Sequence, residues 1–328
     1  MIGEKDYKRK KTAILLLFIV FLLLAAFHRW QTYSAKEYLS AGDREYANQN
    51  YSGALKNFNY AESLDGERNI VYLARLKKGE IFRRYGQFEK AKEELFGALE
   101  EKKDDYRAYD VLGDIYYAEN KFNEAIGYYN QAVQFSHDKK AVSGINVKRA
   151  KSFMAKGELK LASDILSNLY IENDSGENDE QAYYLGLLDF NKNYSLNDYL
   201  KKLESRVDFS WRIEQIKNFI KEYDEKESKD YVDVKAAHLY DLINEPWLAI
   251  KRMGEVTDRN NSYRDAWIVL GKSYFIAGEY ADSSKSFNRA LALDKHSGEI
   301  YFWLKSVYEK IGNQKKADEY IGKYENFK

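Results

Sequence analysis

The chain of 328 residues contains no cysteine and a single proline, Pro246. Without cysteine the fold cannot depend on disulfides, and neither a thiolate nucleophile nor a cysteine zinc site is available. The four histidines are scattered, and no nucleophile motif or phosphate-binding loop accompanies them. These absences leave little support for an enzyme. We expect a protein without catalytic activity, cofactor or bound metal.

The chain also lacks a net charge, because its 52 Lys and Arg residues are balanced by 52 Asp and Glu residues. A protein that reads a phosphate backbone carries a basic excess, so nucleic acid is not the expected partner. One local imbalance stands in the first eleven residues, where Glu4 and Asp6 accompany five basic side chains: Lys5, Lys8, Arg9, Lys10 and Lys11. Residues 1–11 are predicted to form a basic cytoplasmic tail.

Residues 12–27 form an uncharged apolar run without a helix breaker. As a helix this run spans about 24 Å of the roughly 30 Å hydrocarbon core, so snorkelling of the flanking Lys and Arg side chains completes the span. We therefore predict a transmembrane anchor over residues 12–30. The alternative is a cleaved signal peptide, which the sequence matches poorly because Leu24 or Tyr33 would occupy a position that requires a small residue.

The basic residues before the apolar run also predict its orientation, because positively charged flanks are retained in the cytoplasm. The N-terminus is then cytoplasmic, and the domain that follows the anchor lies outside the cytoplasm. The alternative is a cytosol-facing receptor or adaptor anchored in an organelle membrane.

The rest of the sequence repeats one spacing of large and small residues. The spacing is clearest in Trp267, Leu270, Gly271, Tyr274, Gly278, Tyr280, Ser283, Phe287 and Ala290, and in Tyr109, Leu112, Gly113, Tyr116, Phe122, Ala125, Tyr129 and Ala132. It resembles the tetratricopeptide repeat, a helix-turn-helix unit of about 34 residues. The resemblance implies an all-α fold, a right-handed α-solenoid of helical hairpins, preceded here by one N-terminal transmembrane helix.

The strength of the pattern divides the chain. Tetratricopeptide-repeat block 1 is predicted over residues 35–170 with about four repeats, and block 2 over residues 230–328 with about three. Between them, residues 171–229 lose the pattern, and we predict a degenerate repeat with a short second helix from Ser195, followed by a bridging helix. The bridging helix is indicated by apolar residues at helical spacing, among them Phe209, Ile213, Ile216 and Ile220.

In the tetratricopeptide-repeat family the first helix of each unit lines a concave groove, and the resemblance implies the same here. The positions that face the groove give ten candidate partner-binding residues: Arg107, Asp110, Asp114, Tyr117, Lys148, Lys151, Ile268, Lys272, Phe275 and Phe302. Ile276 and Trp303 lie near the same side. Each candidate is equally well explained as a solvated or half-buried helix residue. The Lys and Asn clamp that chaperone-docking members use for a terminal carboxylate is not matched, because the Asn is missing.

The sequence thus predicts a single-pass membrane protein that binds segments of other proteins, as peptides or helices, and takes no small-molecule substrate. Because it resembles bacterial envelope proteins built in this way, we expect an assembly or chaperone-like factor for an envelope complex. The partner's identity is not contained in the repeat positions, since they describe packing between helices and leave the exposed surface free to vary.

Overall fold

The computed structural model of the chain describes residues 2–64, 67–172, 179–224 and 226–327, and the side chains of the predicted basic tail lie outside the described part. All regular secondary structure in those ranges is α-helical. The helices are α1 (Ile2–Ala47), α2 (Tyr51–Ser63), α3 (Arg68–Arg84), α4 (Phe88–Glu101), α5 (Tyr106–Ala118), α6 (Phe122–Phe135), α7 (Lys139–Ala155), α8 (Leu159–Glu172), α9 (Asp179–Asn193), α10 (Asp198–Lys202), α11 (Val207–Glu222), α12 (Lys229–Leu242), α13 (Pro246–Arg259), α14 (Arg264–Ile276), α15 (Tyr280–Leu293), α16 (Gly298–Ile311) and α17 (Gln314–Glu325).

The chain divides into two compact units, Met1–Ile145 and Asn146–Lys328. The boundary falls within α7, whereas the blocks expected from the sequence are separated by residues 171–229. The sequence division follows the strength of the repeat pattern, and the structural division follows the density of packing, so the two need not coincide. Each unit is described by itself below.

Within each unit, consecutive helices pair as hairpins, and a small residue on the first helix sets how closely the second approaches. Gly113 of α5 faces Tyr129 of α6, and Gly271 of α14 faces Phe287 of α15. A β-carbon on Gly271 would lie 2.8 Å from Cδ1 of Phe287, so a side chain there would force the helices apart. The Ser283 hydroxyl donates a hydrogen bond of 2.7 Å to the Gly271 carbonyl at the same crossing. The predicted all-α fold of helical hairpins is confirmed.

A residue in the left-handed region ends the first helix of each hairpin. All residues with positive φ in the described part of the chain lie at these turns: Gln49, Gly86, Asn120, Gly157, Tyr194, Asn244, Gly278 and Gly312. Backbone N–H groups of the turn donate hydrogen bonds to carbonyl groups in the last turn of the preceding helix. An example is the Gln87 N–H, which donates to the Phe82 carbonyl at 2.9 Å. The left-handed residues therefore mark each hairpin as clearly as the small residues at the crossings do.

The fifth hairpin departs from this regularity. Its second helix, α10, has only 5 residues. The next helix, α11, covers the stretch in which the spacing from Phe209 to Ile220 predicts a helix, and it buries Ile213, Ile216 and Phe219. Because α11 packs against α12, it occupies space beside the following hairpin rather than forming a hairpin of its own.

A buried ionic cluster ties the fifth hairpin to the sixth. Asp233 of α12 is almost fully buried and accepts a hydrogen bond of 2.6 Å from the Tyr194 hydroxyl. Arg252 lies 3.5 Å from the same carboxylate, and Arg259 forms a second, shorter ion pair with it. A buried carboxylate is tolerated only when it is compensated in this way.

The first helix, α1, runs for 46 residues, through the apolar segment and into the first hairpin. No Gly or Pro interrupts the sequence between Gly3 and Gly42, so local propensity offers no break. The segment Leu16–Ala47 contains a stretch with mean hydropathy 1.4, none of it buried, which by length and composition could cross a membrane. Anchor and first repeat, predicted as the separate segments 12–30 and 35–170, thus share one helix.

Candidate partner-binding groove

The first helices of successive hairpins are neighbours within each unit. In Met1–Ile145, α3 contacts both α1 and α5, and in Asn146–Lys328, α14 contacts both α12 and α16. A second helix packs against the first helix of its own hairpin and that of the next, as α4 does with α3 and α5 and α15 does with α14 and α16, and we call the opposite side of the first helices the inner face. The ten predicted partner-binding residues all lie on first helices, on α5, α7, α14 and α16.

In the first unit, the predicted residues of α5 are held by their own neighbours. Arg107 forms an ion pair of 2.7 Å with Asp105. Burial alone would raise the pKa of Asp105, but hydrogen bonds from Arg107 hold that pKa well below its usual range. Asp114 accepts a hydrogen bond of 3.0 Å from the Tyr129 hydroxyl. These side chains are fixed in position and still partly exposed, which suits recognition by preorganised polar groups.

Asp110 and Tyr117, the other two predicted residues of α5, are also half-buried. The Tyr117 ring meets Phe122 of α6 edge-on, with 5.5 Å between ring centroids. This contact spans the turn within the hairpin, so Tyr117 serves packing at the same time as it borders the inner face.

In the second unit, the predicted residues Lys148 and Lys151 of α7 are half-buried. The Lys151 ammonium lies 5.3 Å above the Tyr184 ring and 3.9 Å from Glu180. These groups border a polar cleft of about 420 Å³, which α11 closes on its far side with Arg212. The cleft offers charges of both signs within a small volume.

Glu245, at the start of α13, is a half-buried acid near the same cations. Burial raises the pKa of Glu245 to about 7, and the positive charges of Lys151 and Arg212 oppose that increase only in part. A carboxyl group with such a pKa changes between its protonated and ionised forms near neutral pH.

The predicted residues near the C-terminus divide between core and surface. Ile268 is only 6% exposed and packs in a core cluster with Phe287 and Ile300, so it presents little area to a partner. Phe275 packs edge-on against Trp303, with 5.4 Å between ring centroids. Phe302, in contrast, is 42% exposed on α16.

Lys272, the remaining predicted residue, forms an ion pair of 2.5 Å with Glu299 of the next first helix. Its ammonium also lies 5.7 Å above the Trp303 ring. Leu242 was missed by the sequence reasoning, although it is exposed at the end of α12. The sequence does contain a signal for Leu242, because Leu242 and the exposed Ile276 occupy equivalent positions in consecutive repeats.

A second group that sequence reasoning missed is Asp241 of α12. One of its oxygens accepts a hydrogen bond of 2.8 Å from the Ser273 hydroxyl. The other oxygen, Oδ1, is buried and has no hydrogen-bond partner among the described residues. Burial raises the pKa of Asp241 to about 7, against the opposing effects of Ser273 and Lys272. The repeat register places Asp241 at the position that Phe275 holds in the next unit, but its raised pKa depends on burial between two helices.

His238 lies one turn before Asp241. Burial lowers the pKa of His238, and the charge of Lys272 lowers it further. Across the described ranges, no three His, Cys, Asp or Glu side chains are grouped as metal ligands would be. The inner face therefore offers packing surfaces, ion pairs and hydrogen-bonding groups.

Two family matches cover parts of the chain. Residues 265–297 match the tetratricopeptide repeat, and residues 72–181 match a domain of unknown function, DUF7017. No curated protein sequence matches the chain.

Solved structures that resemble the chain are distant. A tetratricopeptide repeat protein from Parabacteroides merdae is 15% identical, with a TM-score of 0.46, over 84% of this chain and 98% of its own. PilF of Pseudomonas aeruginosa is 12% identical, with a TM-score of 0.33, over 77% and 90%. PilW, described as a type IV pilus biogenesis factor, is 12% identical, with a TM-score of 0.33, over 77% and 91%.

The matched segment, residues 265–297, is the hairpin of α14 and α15, in which Gly271, Ser283 and Phe287 form the crossing. The same crossing recurs at Gly113 and Tyr129 of the first unit. Each unit is built of packed α-helical hairpins. Residues 265–297 form a tetratricopeptide repeat, as the sequence spacing predicted.

Proposed function

We propose that this protein is a membrane-anchored scaffold that binds segments of partner proteins on the inner faces of its repeats and has no catalytic role. The observation that carries the proposal is the exposure of apolar side chains on consecutive first helices, Leu242, Ile276 and Phe302. Small exposed apolar areas on a row of helices, bordered by ion pairs such as Lys272 with Glu299, suit an extended or helical peptide.

The membrane part of the proposal rests on α1, whose apolar stretch is exposed in the folded protein. We propose that α1 spans a bilayer with its basic end in the cytoplasm and that the repeats lie outside the cytoplasm. Confinement to a surface raises the local concentration of the binding site for membrane partners. In this location the role that fits best is an assembly or chaperone-like factor for an envelope complex.

Binding on the inner face is tested by Phe302→Asp in the full-length protein, with chemical crosslinking in native membranes and identification of the captured protein. Phe96→Asp is the matched control, because Phe96 is 41% exposed on α4, a second helix. We expect Phe302→Asp to abolish capture of one defined membrane or envelope subunit and Phe96→Asp to retain it. Equal capture by both variants, at unchanged helicity, would contradict binding at Phe302.

Topology is tested separately, by protease protection of intact cells or vesicles. In a bacterial host we expect the repeats to be digested only when the protease reaches the extracytoplasmic side. Digestion from the cytosolic side would support the receptor or adaptor alternative and reverse the orientation proposed here.

A further inference from the structure

The apolar segment and the first hairpin are joined without a flexible link. Side chains from Leu16 to Phe27 are exposed, whereas Ala35 on the same helix is fully buried against Ala54 and Phe58 of α2. Ala35 follows Trp30, the last residue of the predicted anchor, by five residues, which is about 8 Å of helix. The polar layer of a bilayer is roughly 5–8 Å thick on each side, so the hairpin begins close to its outer limit.

This end of the hairpin displays four aromatic side chains, which we call the interfacial aromatic cluster: Trp30 (59% exposed), Tyr33 (63%), Tyr38 (38%) and Tyr60 (46%). Tyr38 of α1 and Tyr60 of α2 lie together, with 5.2 Å between ring centroids. The cluster therefore includes both the helix that carries the anchor and its partner in the hairpin. Trp and Tyr rings favour the headgroup level of a bilayer, where an apolar body and a polar tip are both satisfied.

The polar groups around the cluster are balanced in charge. Lys36 lies 3.3 Å from Glu67, and both side chains are more than half exposed. An end with paired charges has no particular attraction to anionic lipid, unlike an unpaired basic patch. The chemistry at this end fits the headgroups of an ordinary zwitterionic bilayer.

We propose that the interfacial aromatic cluster rests in the headgroup layer, so that the first hairpin stands on the bilayer surface at a set height. The inference rests on the proposed membrane anchoring by α1 and adds a second lipid contact, made by the folded repeat itself. Because α2 has 13 residues, the Gln49 turn at the other end of the hairpin stands about 20 Å further from the bilayer.

The absence of cysteine allows a direct test with single labels on the full-length protein. Val20→Cys, Ser63→Cys and Asn48→Cys would each carry a nitroxide in phosphatidylcholine nanodiscs, and accessibility to oxygen and to a water-soluble nickel complex would give the depth of each label. Ser63 ends α2 next to Tyr60, and Asn48 stands at the opposite end of the hairpin. We expect hydrocarbon depth at 20, headgroup depth at 63 and bulk water at 48, with no change when anionic lipid is added.

Hydrocarbon depth at 20 together with bulk water at both 63 and 48 would overturn the proposal and leave the anchor intact. Bulk water at 20 would overturn the anchor, and the surface contact with it. A second pair of variants separates the aromatic contact from simple tethering. Tyr38→Ala/Tyr60→Ala should move the label at 63 into water while the label at 20 stays in hydrocarbon. Tyr85→Ala, exposed at the second turn, should leave both depths unchanged.

Discussion

Gly271 of α14 lies so close to Phe287 of α15 that the phenyl ring takes the space a side chain would need. A β-carbon on Gly271 would lie 2.8 Å from Cδ1 of Phe287. The contact fixes the distance between the two helices of that hairpin. The same relation holds at Gly113 and Tyr129, where the ring also lies across the glycine. Crossings of this kind support the inner faces on which partner binding is proposed.

Gly271→Ala should destabilise the protein by about 1–3 kcal/mol, because the added methyl must displace a buried ring. Gly254→Ala is the matched control on α13, where a β-carbon would meet no atom within 4 Å. That control should be neutral or stabilise by up to about 1 kcal/mol, since Ala is the better helix former. Thermal unfolding followed by circular dichroism in detergent compares the two, and equal losses would contradict the close crossing.

At the left-handed turns, removing a glycine and introducing one should change the free energy of unfolding in opposite directions. Gly86 has φ of 68° and open space around it, so Gly86→Ala should cost about 1 kcal/mol through backbone strain alone. Gln49 has φ of 62° at the equivalent turn, and Gln49→Gly should be neutral or stabilise slightly. Denaturant midpoints of the two variants check the pair, and a stabilising Gly86→Ala would contradict the turn geometry.

Asp233 should be among the most sensitive positions in the second unit. Asp233→Ala leaves Arg252 and Arg259 without their shared carboxylate and the Tyr194 hydroxyl without its acceptor, so we expect a loss of about 3–5 kcal/mol. Asp282→Ala, which removes an exposed pair with Lys285, should change stability by less than about 1 kcal/mol. Unfolding midpoints measured side by side decide this, and a small effect at Asp233 would contradict its role as the shared counterion.

Asp241 should make stability depend on pH. Its folded pKa is raised from the ordinary value of 3.8 to about 7, so the unfolded chain releases this proton first. Asp241 therefore lowers stability progressively as pH rises from about 4 to about 7. Asp241→Asn should be more stable than the unaltered protein by about 1–2 kcal/mol at pH 8 and nearly equal at pH 4. Asp258→Asn, exposed on α13, controls for the loss of one charge, and melting curves at both pH values give the comparison. A pH-independent difference for Asp241→Asn would contradict the buried state of the acid.

The hairpins could be predicted from the sequence because their crossings require small residues at a regular interval. Gly113 with Tyr129, and Gly271 with Phe287, carry that requirement in the sequence itself. The continuity of α1 was not predicted. Lack of Gly and Pro permits an unbroken helix, but continuity into the repeat also depends on the packing of Ala35 against α2.

The groove was predicted only in outline. Repeat position places Ile268 and Phe302 on comparable faces, but the neighbours of Ile268 cover it while those of Phe302 leave it exposed. Position along a repeat gives the direction of a side chain, and burial depends on what packs over it, as α16 with Ile300 does over Ile268. The state of Asp241 has the same origin, since it reflects two helices that come together only in the folded chain.

Partners are proposed to contact the inner face of the membrane-anchored repeats. The most direct measurement is photocrosslinking in native membranes with benzoylphenylalanine placed at position 302 or at position 96 of the full-length protein. We expect one defined protein adduct from position 302 and none of that kind from position 96. An adduct with the same partner from position 96, and none from position 302, would contradict it.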